Sequence, residues 1–93
     1  MIVWDERKRQ INIAKHDLDF ADAHLVFDNP QKITIPSPRG NEDRLMDLAM
    51  VKDMGMILAL VYVNRGAEMR IISFRIASHR ERKFYDKTRA EFD

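Results

Sequence analysis

The chain reads as an α+β fold, with an antiparallel sheet, two helices ahead of it and one helix behind it, and three observations predict this. Met56–Val63 and Glu68–Ile76 are apolar runs of strand-forming residues separated by Asn64-Arg65-Gly66, the pattern of a β-hairpin at the sheet centre. Ser78-His79-Arg80-Glu81 matches the S-x-x-E capping box, in which Ser and Glu satisfy each other's orphan amides at the start of a helix. Ahead of the sheet, Asp5 and Asp19 each stand where a carboxylate suits the positive end of a helix.

In chain order, Met1–Trp4 is a short apolar strand, and Asp5 caps a helix that runs to about His16. Asp17-Leu18-Asp19 breaks it. Asp19 then opens a second helix carrying Phe20, Ala23, Val26 and Phe27 on one buried stripe, ended by Asn29-Pro30. Gln31–Ile35 is a strand, and the Pro-Ser-Pro-Arg-Gly-Asn stretch at residues 36–41 is an irregular loop. Glu42–Met50 mixes Leu45, Leu48 and Met50 with charges; strand is the reading adopted, and helix fits the same pattern. Met54-Gly55 turns into the hairpin, and the charged helix after Ser78 extends to about Ala90.

With 93 residues, 45% hydrophobic, and only three Gly and three Pro, the chain is expected to form a single domain over residues 1–93. The absence of Cys excludes disulfides, thiolate metal sites and a thiol nucleophile. Met1-Ile2-Val3-Trp4 followed by Asp5-Glu6 does not resemble an export signal, and Met56–Val63, the longest apolar run, is too short for a bilayer, so a cytoplasmic protein without a membrane partner is expected. Net charge is only +1, but it is unevenly spread. Residues 1–64 hold eight Lys/Arg against ten Asp/Glu, and residues 65–93 hold eight against five, which points to a basic surface in the C-terminal third.

Several residues carry candidate chemistry, each with a plainer alternative. Lys15-His16 closes the first helix, where cations are favoured by the helix dipole; equally, His exchanges protons near neutrality, and an adjacent Lys favours its neutral, basic form. Arg70 and Arg75 are either ion-pair partners or phosphate ligands, for which the guanidinium fork is suited. Simple alternation puts Arg70, Ile72 and Phe74 on one sheet face and Ile71, Ser73 and Arg75 on the other. Both arginines then reach one phosphate only if the strand bulges or ends between them. Arg80, Arg82, Lys83, Lys87 and Arg89 form either a solvated helix face or a phosphate track, and Tyr85 either packs in the core or stacks on a base. His24 and His79 read as surface residues. Three scattered His without a ligand spacing argue against a metal, and no Gly-rich phosphate loop or Ser nucleophile motif is present, so no cofactor is expected.

The chain resembles the BrnT toxin family along nearly its whole length. The resemblance is carried by Trp4-Asp5, Asn12, Lys15-His16, Phe20, Ala23, Phe27-Asp28 and Pro30, and then by Glu42-Asp43-Arg44, Val61-Tyr62, Arg65-Gly66, Arg70-Ile71-Ile72-Ser73, Arg75, Ala77, Glu81-Arg82 and Tyr85. It departs from the family pattern at Asp17 and Asn41, where Gly is usual, at Val63, where Thr is usual, and at Phe74, where Ala is usual. The larger Phe74 is expected to reshape the cleft wall. What the resemblance implies is a RelE-like α+β fold and a metal-independent ribonuclease that inhibits translation. It also implies neutralisation by a BrnA-type antitoxin encoded beside it, in a heterotetramer that contacts operator DNA through the antitoxin. On that basis the expected catalytic residues are His16 as base or acid, Glu42 as the alternative base, and Lys15, Arg70 and Arg75 as charge stabilisers. Arg44, Ser73, Arg82 and Tyr85 are expected to bind RNA. The rival expectation is a non-catalytic subunit that holds RNA or an acidic antitoxin with the same residues.

Overall fold

Two aspartates start the helical segments ahead of the sheet, as the capping chemistry predicts. In the computed structural model, which describes residues 1–92, Asp5 Oδ1 accepts the backbone N–H groups of Arg7 and Lys8 at 2.8 and 3.3 Å and opens α1 (Glu6–His16). The helix closes at Asp17, whose φ of 58° is left-handed and whose N–H donates to Ile13 O at 2.9 Å. Asp19 Oδ1 accepts the N–H of Ala21 at 2.9 Å. It opens a single 3₁₀ turn (Phe20–Asp22), succeeded by the one-turn α2 (His24–Phe27), in place of one continuous helix. Phe20, Ala23 and Val26 recur every three residues, a 3₁₀ spacing that keeps all three against the sheet.

The sheet contains β1 (Ile2–Val3), β2 (Ile33–Pro36), β3 (Leu45–Val51), β4 (Met56–Arg65) and β5 (Glu68–Ile76), in the order β1-β5-β4-β3-β2. It is mixed, not antiparallel throughout. Neighbours from β2 to β5 are antiparallel, while β1 runs parallel to β5, pairing Ile2 with Met69 and Val3 with Arg70. Two paired residues are too few to carry a direction in their own pattern. Residues 45–51 form a strand with both faces covered, so apolar residues run nearly unbroken and the alternation that separates strand from helix is lost. The β4–β5 hairpin turns at Gly66-Ala67, with Arg65 opposite Glu68 and Gly66 at φ 60° in the first turn position, where a type II′ turn requires glycine. After it, Ser78 N–H donates to Glu81 Oε1 at 2.8 Å and Glu81 N–H donates to Ser78 Oγ at 3.2 Å, completing the box that starts α3 (His79–Phe92).

The register of β4 against β5 shifts between Val61, opposite Ser73, and Tyr62, opposite Ile71. Ile72 is therefore an extra residue, a β-bulge, and simple alternation fails across it. Met69, Ile71 and Phe74 point to one face, with Leu58, Leu60, Tyr62, Phe20, Ala23 and Val26. Arg70, Ser73 and Arg75, opposite Val63, Val61 and Ala59, share the other. There Met46, Leu48, Ile57, Ala59, Val61 and Ala77 pack with Tyr85 of α3.

The face beneath α2 also buries a charge. Asp47 is 0% exposed, and its oxygens accept from Thr34 Oγ1 at 2.6 Å, Tyr62 OH at 2.9 Å and Lys32 Nζ at 3.0 Å. Lys32 Nζ also lies 4.2 Å from the centre of the Phe27 ring. Burial, followed by the neighbouring Asp47 charge, pushes the Tyr62 phenol far above its ordinary pKa, so it remains a donor. Among the described residues no helix is long and apolar enough to cross a membrane.

Candidate active site

Two hollows flank the bulge and share Ile72 and Ser73 as their common wall. The first, about 280 Å³, is completed by Lys8, Ile11, Asn12, Lys15 and His16. The second, about 260 Å³, is completed by Ser37, Pro38, Arg39, Arg44, Val61 and Arg75. Neither lining contains a carboxylate, whereas another hollow, under the Asp17–Asp22 segment, includes Asp17, Asp19 and Asp22. The paired hollows thus present five cations and one imidazole along a continuous surface, an arrangement that suits a polyanion.

The α1 contribution follows from helical geometry. Residues 8, 11, 12, 15 and 16 are spaced i, i+3, i+4, i+7 and i+8, one face of one helix. Asn12 anchors that face to the sheet: its Oδ1 accepts the N–H of Phe74 at 3.1 Å, and its Nδ2 donates to Phe74 O at 2.8 Å and Leu18 O at 2.9 Å. Since β1 pairs only as far as Arg70, the outer edge of β5 at Phe74 faces no strand, and the Asn12 amide takes a strand's place. His16 is half-buried. Burial first, then the Lys15 and Arg75 charges, holds its pKa below the ordinary imidazole value, which favours a neutral base at neutral pH.

Arg75 is held by a second device. Its NH1 and NH2 donate to Glu81 Oε1 and Oε2 at 2.7 and 2.9 Å, a bidentate pair, and the same carboxylate caps α3. The guanidinium holds the Glu81 carboxyl down to about 2. The start of α3 and the end of β5 are thereby locked together beside Ser73.

The sequence-predicted residues distribute unevenly around this surface. His16 and Lys15 line the first hollow, Arg44 and Arg75 the second, and Ser73 both. Arg70 shares the face of Arg75 because of the bulge, which removes the opposition that alternation imposed, but it lines neither hollow, and its buried Nε has no hydrogen-bond partner among the described residues. Glu42 also lies outside both linings. It accepts from Arg44 Nε at 2.6 Å and Arg65 NH2 at 3.1 Å, and the Arg44 contact lowers its pKa, so its geometry orients Arg44 and disfavours the base role. Tyr85 is 4% exposed and donates to Gln31 O at 3.0 Å; as a core residue under α3 it has no face on which a base can stack. Arg82 is exposed on α3 beside His79, outside the hollows. Phe74 is wholly buried on the opposite sheet face, so it does not line the paired hollows. His24 and His79 are exposed.

Lys8 and Arg39 were not among the sequence-derived candidates. The helical spacing from Lys15-His16 back to Lys8 was a usable signal. Arg39 had none, because its position depends on a tight turn at Gly40, φ 61°, where Arg39 and Glu42 exchange backbone hydrogen bonds at 3.1 Å. Among the described residues no group of three or more His, Asp or Glu side chains is arranged to hold a metal ion.

Residues 4–81 match a family model described as the ribonuclease toxin, BrnT, of a type II toxin–antitoxin system. No curated protein matches the chain.

Proposed function

From the premise that this chain belongs to the BrnT family of type II toxin–antitoxin ribonuclease toxins, we propose that it cleaves RNA at the paired hollows by metal-independent acid–base chemistry. The observation that carries the proposal is the meeting of His16 and Lys15 with Ser73, Arg75 and Arg44 across the bulge, on a surface whose lining has no carboxylate. Neutral His16 takes the proton of a ribose 2′-hydroxyl. The 2′-oxygen attacks the neighbouring phosphorus, the bond from phosphorus to the 5′-oxygen breaks, that oxygen takes a proton from water, and the proton held by His16 returns to solvent. The products are a 2′,3′-cyclic phosphate and a 5′-hydroxyl. Lys15 and Arg75 stabilise the charge that builds on the phosphorane, as preorganised cations do.

Lys8 and Arg39, at the outer ends of the two hollows, hold the flanking phosphates, and Arg44, braced by Glu42, sets the register. A family toxin of this class has a protein antitoxin and an RNA substrate. In the finer form proposed here, the antitoxin is of the BrnA type and joins the toxin in a heterotetramer that contacts operator DNA through the antitoxin. Toxin and antitoxin act in the cytoplasm, where cleavage inhibits translation.

The test is incubation of wild type and His16→Ala, its fold checked by circular dichroism, with bare end-labelled RNA in excess EDTA. Wild type is expected to yield cyclic-phosphate ends, and His16→Ala to cleave about 10²- to 10⁴-fold more slowly. Failure of wild type to cut in EDTA overturns the metal-independent mechanism, and an undiminished His16→Ala overturns the assignment of the base.

A further inference from the structure

At the β2 edge of the sheet, β2 and α3 enclose a groove of about 400 Å³ lined by Lys32, Ile33, Thr34, Ile35, Phe84, Thr88, Arg89 and Phe92. Two features set it apart from ordinary surface. Phe84 and Phe92, two turns apart on one side of α3, are 47% and 76% exposed, and they continue the apolar row formed by Ile33 and Ile35.

The second feature is the strand edge. β2 pairs with β3 alone. Ser37 N–H donates to Arg44 O at 2.8 Å, in step with the Ile33–Leu48 and Ile35–Met46 pairs. In an antiparallel ladder the intervening residues turn their main chain the other way, so the N–H and C=O of Thr34 face out along the groove, as does the C=O of Pro36. An extended segment laid against this edge finds main-chain partners on one side and aromatic contacts on the other.

Charge selects among extended segments. Exposed Arg80 and Lys87 each stand one turn from Phe84 on α3, against Glu91, while Lys32 is already held by the buried Asp47. A second copy paired along β2 would bring Arg80 and Lys87 toward their own kind, and Pro36, with no N–H, further blunts self-pairing. An acidic segment with apolar side chains at alternate positions meets complementary charge.

We propose that this groove is the docking site of the antitoxin, occupied by an acidic, extended segment that adds a strand to β2 and sets apolar side chains between Phe84 and Phe92. The proposal rests on the family's antitoxin partnership and names the surface that partnership uses. The groove ends close to the candidate site, since the chain runs from Ile35 of β2, in the groove, to Ser37 in the lining of the second hollow.

Two measurements test it, both with a BrnA-type antitoxin that binds the chain. In amide hydrogen exchange of the wild-type chain, free and in the complex, residues 33–35 and 84–92 are expected to slow at least tenfold on binding. No slowing there, with protection elsewhere, overturns the proposal. So does equal slowing on adding bare RNA, or on concentrating the free chain, which would assign the groove to RNA or to a second copy. The variant combining Phe84→Asp and Phe92→Asp is expected to arrest growth like wild type while binding antitoxin at least tenfold more weakly, so that co-expression no longer relieves the arrest. Relief equal to wild type overturns the groove. A folded variant that no longer arrests growth also overturns it, by placing the groove in the substrate site. Absence of arrest by wild type would instead count against the ribonuclease proposal, so the two failures are distinguishable.

Discussion

The two faces of the sheet treat charge in opposite ways. Beneath α2, the face holds one charge cluster, and it is closed: Asp47 is fully buried, and Thr34, Tyr62 and Lys32 satisfy its oxygens. On the other face α3 covers only the β2–β3 side and the ends of β4 and β5, so the cations around Ser73 border open hollows and hold geometry through partners at their backs, Arg75 through Glu81 and Arg44 through Glu42. A closed network spends its hydrogen bonds on the fold. A braced but open one keeps donors for a ligand, and this difference, more than the count of cations, distinguishes the candidate site from the rest of the molecule.

Breaking the closed network has the largest expected effect. Asp47→Ala leaves the buried Tyr62 phenol without its acceptor and strips the partly exposed Lys32 of its partner, and urea unfolding should show a loss of about 3 kcal/mol. A loss comparable to that of a surface substitution would mean that water or a rearranged Lys32 restores the contacts. The open face responds in function first. Arg75→Gln removes one of the charges that depress the His16 pKa, so that pKa should rise toward the ordinary imidazole value, tracked by the His16 ring protons in NMR titration. Activity that needs neutral His16 is lost as pH falls through that pKa. The acid limb of kcat/KM should therefore lie below about 6.5 in wild type and move up in Arg75→Gln, with cleavage at least about tenfold slower. An unmoved acid limb would show that His16 is not the titrating base. The smallest effect concerns the link between the faces, the left-handed Asp17 at the end of α1. Asp17→Gly should stabilise by about 0.5 kcal/mol, the penalty for a Cβ in that conformation less the freedom glycine gains when unfolded, read as a small rise in Tm without change in cleavage.

Much of the framework was legible in the residues themselves. Asp5, Asp19 and the Ser78/Glu81 box act through neighbours two or three positions away, so local pattern suffices to place them. The β4–β5 hairpin is equally local, and the BrnT resemblance led to the family that residues 4–81 match. Lys15-His16 at the end of α1 was visible for the same reason, and the helical spacing back to Lys8 was there to be used.

What only tertiary structure decided depends on partners distant in the chain. The bulge at Ile72 exists in the pairing of β5 with β4, and it alone turns Arg70, Ser73 and Arg75 to one face while sending Phe74 to the other. The parallel pairing of β1, the replacement of a strand by the Asn12 amide at Phe74, the engagement of Glu42 by Arg44 and Arg65, and the burial of Tyr85 against Gln31 are likewise contacts made across the fold. Residue type determined which chemistry the chain could carry. Register and burial determined which of those residues meet, because a one-residue shift in a strand reverses the direction of every side chain beyond it.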